Sequence, residues 1–215
     1  MKALIFDLDG TLLDTIGDLH RCTNYALEQF GFPCRSLEEV NAFVGNGLAM
    51  LIRRAVPAGT SEEVSMKVLE VMKAHYAHHY CDLTLPYPGI MDMLEKCKET
   101  GIPMAIVSNK ADPFVKSLHD IFFRDLISTA IGEAPTLPRK PAPDMVYAAM
   151  EALGVSAENA YYVGDSEVDV LTARNAGLPC LSVTWGFRTV DQLLAAGATD
   201  LIHSPEELLC RVLSR

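Results

Sequence analysis

Two periods of apolar spacing divide this 215-residue chain. Strand signals, most of them short apolar runs, fall at 2–7, 102–107, 126–131, 160–164, 180–184 and 199–203. Runs of that length, without polar alternation, predict strands covered on both faces. From residue 89 onward, helical spacing separates them. Ile90, Met93, Leu94 and Cys97 recur at three and four residues, and Gly101 is placed to stop that helix. Ser204-Pro205-Glu206-Glu207 reads as a capping box with proline at the first helical position. Alternating strands and helices predict an α/β fold built on a doubly wound parallel sheet.

Residues 15–86 break the alternation. Their spacing is helical, with little strand signal. Thr60-Ser61-Glu62-Glu63 is a helix start, followed by one stripe of Val64, Val68 and Val71 and a second of Leu69, Met72 and Tyr76. Pro86-Tyr87-Pro88-Gly89 reads as a rigid return. The expectation is a core of residues 1–14 and 87–215, interrupted by an inserted α-helical domain of residues 15–86 that is hinged near 14–17 and 85–88.

Bulk properties narrow the class. Apolar residues are 49% and charged residues 21% of the chain, which is ordinary for a globular enzyme. The net charge of −10 leaves no basic patch for nucleic acid. No run approaches the roughly 20 apolar residues of a membrane-spanning helix. Met1–Phe6 is too short for a secretion signal, and Asp7 interrupts it. The six cysteines are scattered, without C-x-x-C spacing. Together these features point to a cytoplasmic protein with free thiols. A monomer or homodimer is expected.

The chemistry sits where the apolar runs end. Asp7-Leu8-Asp9-Gly10-Thr11 follows the first run, and residues i and i+2 of an extended segment point the same way. Two carboxylates held together need a cation or a shared proton, so this is a magnesium site or an acid/base pair. Thr11-Leu12-Leu13 is the wrong continuation for a calcium loop. Ser108-Asn109-Lys110 ends the second run, with a hydroxyl and backbone N–H groups suited to phosphate or to capping a helix. Lys140, inside Lys140-Pro141-Ala142-Pro143-Asp144, is a candidate positioned charge. Gly164-Asp165-Ser166-Glu167-Val168-Asp169 ends the fourth run, with Asp165 and Asp169 four apart at a helix start.

Asp7-x-Asp9-x-Thr11, Ser108, Lys140 and Gly164-Asp165-Ser166-x-x-Asp169, in this order, resemble the four motifs of the haloacid dehalogenase superfamily of phosphohydrolases. The resemblance implies a Rossmann-like core with a helical lid. It implies Asp7 as nucleophile forming an aspartyl-phosphate, and Asp9 as acid and base. Ser108, Asn109, Lys140, Thr11 and the Leu8 backbone belong to the phosphate site by the same resemblance. Asp7, the Asp9 carbonyl and Asp165 would hold Mg²⁺, supported by Asp169. Asp9 favours a phosphatase or phosphomutase over a dehalogenase, because a dehalogenase makes no alkoxide that needs a proton.

Phe43-Val44-Gly45-Asn46-Gly47-Leu48, Arg53-Arg54-Ala55, Pro86-Tyr87-Pro88-Gly89 and Val183-Thr184-Trp185-Gly186-Phe187 resemble phosphoglycolate phosphatases and their near relatives. A small phosphorylated metabolite is the implied partner, with Asn46 and Gly47 as substrate-facing cap residues. The alternatives are a sugar-phosphate mutase of the β-phosphoglucomutase type, an inorganic pyrophosphatase on the same fold, and a non-catalytic binding protein. The proline-rich run 132–139 departs from the family pattern and adds Arg139 as a possible second cation. Trp185-Gly186-Phe187 reads as core and turn. His75, His78 and His79 read as a helix face, since no H-E-x-x-H pattern accompanies them.

Overall fold

The computed structural model describes residues 2–45 and 47–214. Its strands, in chain order, are β1 (Ala3–Phe6), β2 (Leu13–Asp14), β3 (Leu85–Pro86), β4 (Met104–Ala111), β5 (Thr129–Glu133), β6 (Ala160–Gly164), β7 (Cys180–Val183) and β8 (Leu201–Ile202). Its helices are α1 (Ile16–Gln29), α2 (Leu37–Phe43), α3 (Gly47–Ala55), α4 (Glu62–His79), α5 (Ile90–Glu99), α6 (Asp112–Phe122), α7 (Asp144–Leu153), α8 (Glu167–Ala176), α9 (Val190–Ala195) and α10 (Pro205–Leu213). They fall into two compact units, Met1–Leu13 with Pro86–Arg215, and Asp14–Leu85. The chain passes between the units at β2 and β3, which pair with each other.

The larger unit is the expected parallel α/β sheet, in the order β5-β4-β1-β6-β7-β8. Ala3 and Ile5 of β1 share one cluster with Ala105, Val107, Tyr162, Met145, Val146 and Ala173, and so lie under α7 and α8. Leu4 and Phe6 point to the opposite face and are equally buried. Cover on both faces is why the first run shows no alternation. Burying a side chain such as Phe6 contributes about 1.5–3 kcal/mol. The register brings the strand ends level: Phe6 stands beside Ile106 of β4 and Val163 of β6.

Some boundaries differ from the apolar runs. β5 covers Thr129–Glu133, not 126–131, because the turn leaving α6 uses Leu126 and Ile127, whose N–H groups both reach the Phe123 carbonyl. β4 runs on to Ala111 through a break in register with β5: Val107 pairs Ile131, but Ala111 pairs Glu133. The capping box expected at α10 is half formed. Ser204 accepts from the Glu207 N–H, while the Glu207 carboxylate takes the N–H of His203 instead of Ser204. The end of α5 follows the pattern. Gly101 has φ +74°, and its N–H reaches Lys98 while that of Ile102 reaches Cys97.

The smaller unit is built from α1 to α4. α1 buries Leu19, Cys22, Ala26 and Leu27, and packs against α4, which buries Ser65, Val68, Leu69, Met72 and Tyr76. Of the expected valine stripe, only Val68 is fully buried. Asp18 of α1 is buried and closes this unit. Its carboxylate accepts from the N–H groups of Leu83 and Thr84 and from the Thr84 hydroxyl, all at 2.8–3.0 Å.

Candidate active site

Level strand ends deliver three sequence segments to one edge of the sheet, where open α/β sheets hold ligands. Asp7 leaves β1 with its N–H on the Val163 carbonyl at 2.8 Å. The chain then turns tightly, and the Leu8 carbonyl accepts from Thr11, Leu12 and Leu13. Gly10 is required twice over: its φ is +86°, and a Cβ there would overlap the Asp165 carboxylate. Opposite, Thr11 Oγ1 donates to Asp165 Oδ1 at 3.4 Å, and the Phe187 N–H donates to Asp165 Oδ2 at 2.7 Å.

Asp7, Asp165 and Asp169 are buried, and each offers a carboxylate oxygen within 4.8 Å of the others. Lys140, also buried, places Nζ 2.8 Å from Asp7 Oδ1 and 2.8 Å from Asp169 Oδ1. Its third donor goes to the Tyr162 hydroxyl at 3.0 Å, and that hydroxyl donates to Asp169 Oδ1 at 3.0 Å. The other Asp169 oxygen accepts from the N–H and hydroxyl of Ser166. Asp169 is therefore saturated, whereas Asp7 and Asp165 keep oxygen capacity for a further partner.

Fully ionised, the three buried carboxyls would exceed the one ammonium by two negative charges. Burial pushes the Asp7 carboxyl up to about 7, with Asp169 adding to the rise and Lys140 opposing it. Burial, Asp169 and Asp7 likewise hold Asp165 well above the usual carboxylate range. Burial alone would lower the Lys140 ammonium, but Asp169 and Asp7 hold it well above its ordinary value. The carboxylates thus remain short of positive charge even beside Lys140. A hard divalent cation with oxygen ligands meets that need.

The Asp9 carboxylate stands apart from the three-carboxylate group and pairs with Lys110, Nζ to Oδ1 at 2.8 Å. Ser108 is buried, and its hydroxyl accepts from the Lys110 N–H at 3.2 Å. The Asn109 amide, expected at phosphate, is committed to the backbone of Lys140. It donates to the Lys140 carbonyl at 3.0 Å and accepts from the N–H at 2.8 Å. Arg139 lies 3.8 Å from Glu133. Gly47 opens α3 with φ +81°, and Asn46 lies outside the described residues. Arg53 pairs with Glu62, and Arg54 donates to the Phe43 carbonyl. His75 stacks on Tyr25 and lies beside His79, which pairs with Asp82.

Three contributors carried no role in the sequence reading: Lys110, Tyr162 and the Trp185–Phe187 segment. Trp185 Nε1 donates to the Thr11 carbonyl at 3.0 Å, and a Cβ on Gly186 would overlap the Gly10 carbonyl and Asp165. This turn packs against the Asp7–Thr11 loop and Asp165. Tyr162 had one available signal: a tyrosine inside a buried strand needs a partner for its hydroxyl.

The sequence profile described as haloacid dehalogenase-like hydrolase matches residues 4–183. A phosphoglycolate phosphatase of Pseudomonas savastanoi pv. phaseolicola is 36% identical over 197 residues, covering 86% of this chain and 70% of that protein. A phosphoglycolate phosphatase of Vibrio parahaemolyticus is 34% identical over 221 residues, covering 97% and 95%. Among solved structures, a protein of Lactobacillus delbrueckii subsp. bulgaricus, provisionally named a phosphoglycolate phosphatase, superposes with TM-score 0.94 at 35% identity over 100% of both chains. With the four segments meeting at one sheet edge, and with similarity spanning nearly the whole length, the chain belongs to the haloacid dehalogenase-like hydrolase family.

Proposed function

We propose that this hydrolase is a Mg²⁺-dependent phosphatase acting on a small phosphate monoester of the phosphoglycolate kind. The observation that carries the reading is the buried group Asp7, Asp165 and Asp169, with Lys140 bound into it. The names of the relatives support the substrate class.

The cation would be held by Asp7, Asp165 and the Asp9 carbonyl, and when bound it would neutralise charge on the phosphate oxygens. Asp7 attacks phosphorus with its free oxygen while Lys140 holds the other. Asp9 gives a proton to the leaving alcohol and then takes one from the attacking water. The Ser108 hydroxyl and the Leu8 and Asp9 N–H groups donate to phosphate oxygens, and the Lys140 ammonium beside Asp7 adds positive charge there. Asn109 acts through Lys140, by fixing its backbone.

The unit Asp14–Leu85 is assigned as the cap that excludes water and selects the substrate. The loop 45–47 is its candidate contact for a second anion on the substrate. We read the protein as cytoplasmic, a monomer or homodimer with no nucleic-acid partner. Among the described residues, no helix is long and apolar enough to cross a membrane.

A panel of small phosphate esters, assayed with Mg²⁺ and with a chelator, tests this reading. Phosphoglycolate should lead the panel, and chelation should abolish turnover. Preference for a hexose phosphate with return of the phosphoryl group to sugar would overturn it in favour of a mutase.

A further inference from the structure

Asp9 and Lys110 lie 101 positions apart in sequence, yet Lys110 Nζ donates to Asp9 Oδ1 at 2.8 Å. Neither side chain is freely solvated: Lys110 is 7% exposed and Asp9 19%. An ion pair shielded to this degree holds its geometry far better than one on an open surface. Its backbone is also unusual. The break in register between β4 and β5 falls between Val107 and Ala111, and so brackets Ser108, Asn109 and Lys110. Bulges of this kind re-aim side chains beside active sites. Within the bulge, the Lys110 N–H is pinned to Ser108 Oγ at 3.2 Å, and Asn109 is pinned to the Lys140 backbone.

We infer that Lys110 is the positioning residue for Asp9, holding Oδ1 so that Oδ2 is the oxygen that exchanges protons, and that it serves above all the water step. This rests on the proposed phosphatase chemistry. In the first half-reaction an Asp7 oxygen bonds to phosphorus and the ester oxygen leaves. An alkyl leaving group takes a proton from Asp9, whereas a nitrophenolate leaves without one, and Asp9 stays a carboxylate. In the second, water oxygen bonds to phosphorus, the Asp7 oxygen leaves, and Asp9 takes the proton of the water. The products are inorganic phosphate and a free Asp7. Lys110 donates to Oδ1, which leaves Oδ2 to take the proton of the water.

The test is rapid-mixing kinetics with p-nitrophenyl phosphate and Mg²⁺ on wild type, Lys110→Met and Lys110→Arg. In Lys110→Met, release of the first nitrophenolate should stay within a few-fold of wild type. Steady turnover should fall by about 10²-fold, the usual scale for a misplaced reacting group. That variant should therefore show a burst equal to the enzyme concentration, with phosphoenzyme accumulating. Lys110→Arg, which keeps the charge, should recover much of the steady rate. A merely structural role would slow both phases together and give no burst, and that result would overturn the assignment, as would unchanged steady turnover. Failure of the phosphatase reading is separable: Asp7→Asn would then retain turnover, and no phosphoenzyme would form even in wild type.

Discussion

The Tyr162 hydroxyl receives a hydrogen bond from Lys140 Nζ at 3.0 Å, and both residues are buried. This contact gives the ammonium its third acceptor, beside Asp7 and Asp169, and fixes its direction. Tyr162→Phe removes the oxygen and keeps the ring. It leaves one Lys140 donor and one Asp169 acceptor site short of a partner, which costs about 1–3 kcal/mol. Urea unfolding should show that loss, with little change in the denaturant slope. A variant as stable as wild type would mean that Lys140 is held by its two carboxylates alone.

Asp165 depends on a segment far along the chain. Gly186→Ala would drive a methyl group into the Asp165 carboxylate and the Gly10 carbonyl, both part of the packed loop. Overpacking of this kind costs about 1–3 kcal/mol and displaces the carboxylate. The Mg²⁺ concentration for half-maximal activity should rise at least several-fold in Gly186→Ala. Unchanged metal dependence would show that Asp165 has slack that the static geometry conceals.

Asp18 closes the helical unit by accepting from Leu83, Thr84 and the Thr84 hydroxyl. Asp18→Ala orphans the donors of buried Thr84, at about 1–3 kcal/mol for each one left unsatisfied, and releases the Leu83 N–H. Hydrogen exchange at the Leu83 and Thr84 amides should accelerate by at least tenfold, while exchange in β1 and β6 stays near wild type. Uniform acceleration would mean that the two units unfold as one.

The thiols report burial through pH. Burial pushes the thiols of Cys22 and Cys97 up to about 11, and that of Cys180 up to about 12. At pH 8 they are protonated, and thiolate is the reactive form. Cys34 and Cys210 are exposed. A disulfide reagent at pH 8 should label Cys210 in the folded protein, label exposed Cys34 more slowly because its thiol donates to Glu28, which pushes it up, and reach Cys22 and Cys97 only on unfolding. Rapid labelling of Cys97 in the native state would contradict the packing of α5.

How much was legible beforehand follows from what each signal measures. The order of apolar runs was enough for the parallel sheet, and parallel strands put their carboxyl ends on one edge, so Asp7, Ser108 and Asp165 could be grouped without coordinates. Partners chosen by tertiary packing were not legible. Nothing in Ser108-Asn109-Lys110 shows that Lys110 reaches Asp9 or that the Asn109 amide turns to Lys140, because the bulge that directs both is a mismatch between β4 and β5. The shift of β5 and the half-formed cap at Ser204 have the same origin. Local patterns propose hydrogen bonds that the neighbouring backbone then claims.

The most direct test of the account is to find the phosphoryl group on the enzyme. Protein mixed with Mg²⁺ and a phosphate ester substrate is quenched in acid within the first turnover, digested, and mapped by mass spectrometry. The account predicts one phosphoryl group on Asp7, absent from Asp7→Asn and absent when a chelator replaces Mg²⁺. A phosphoryl group on any other residue, or full turnover by Asp7→Asn, would contradict it.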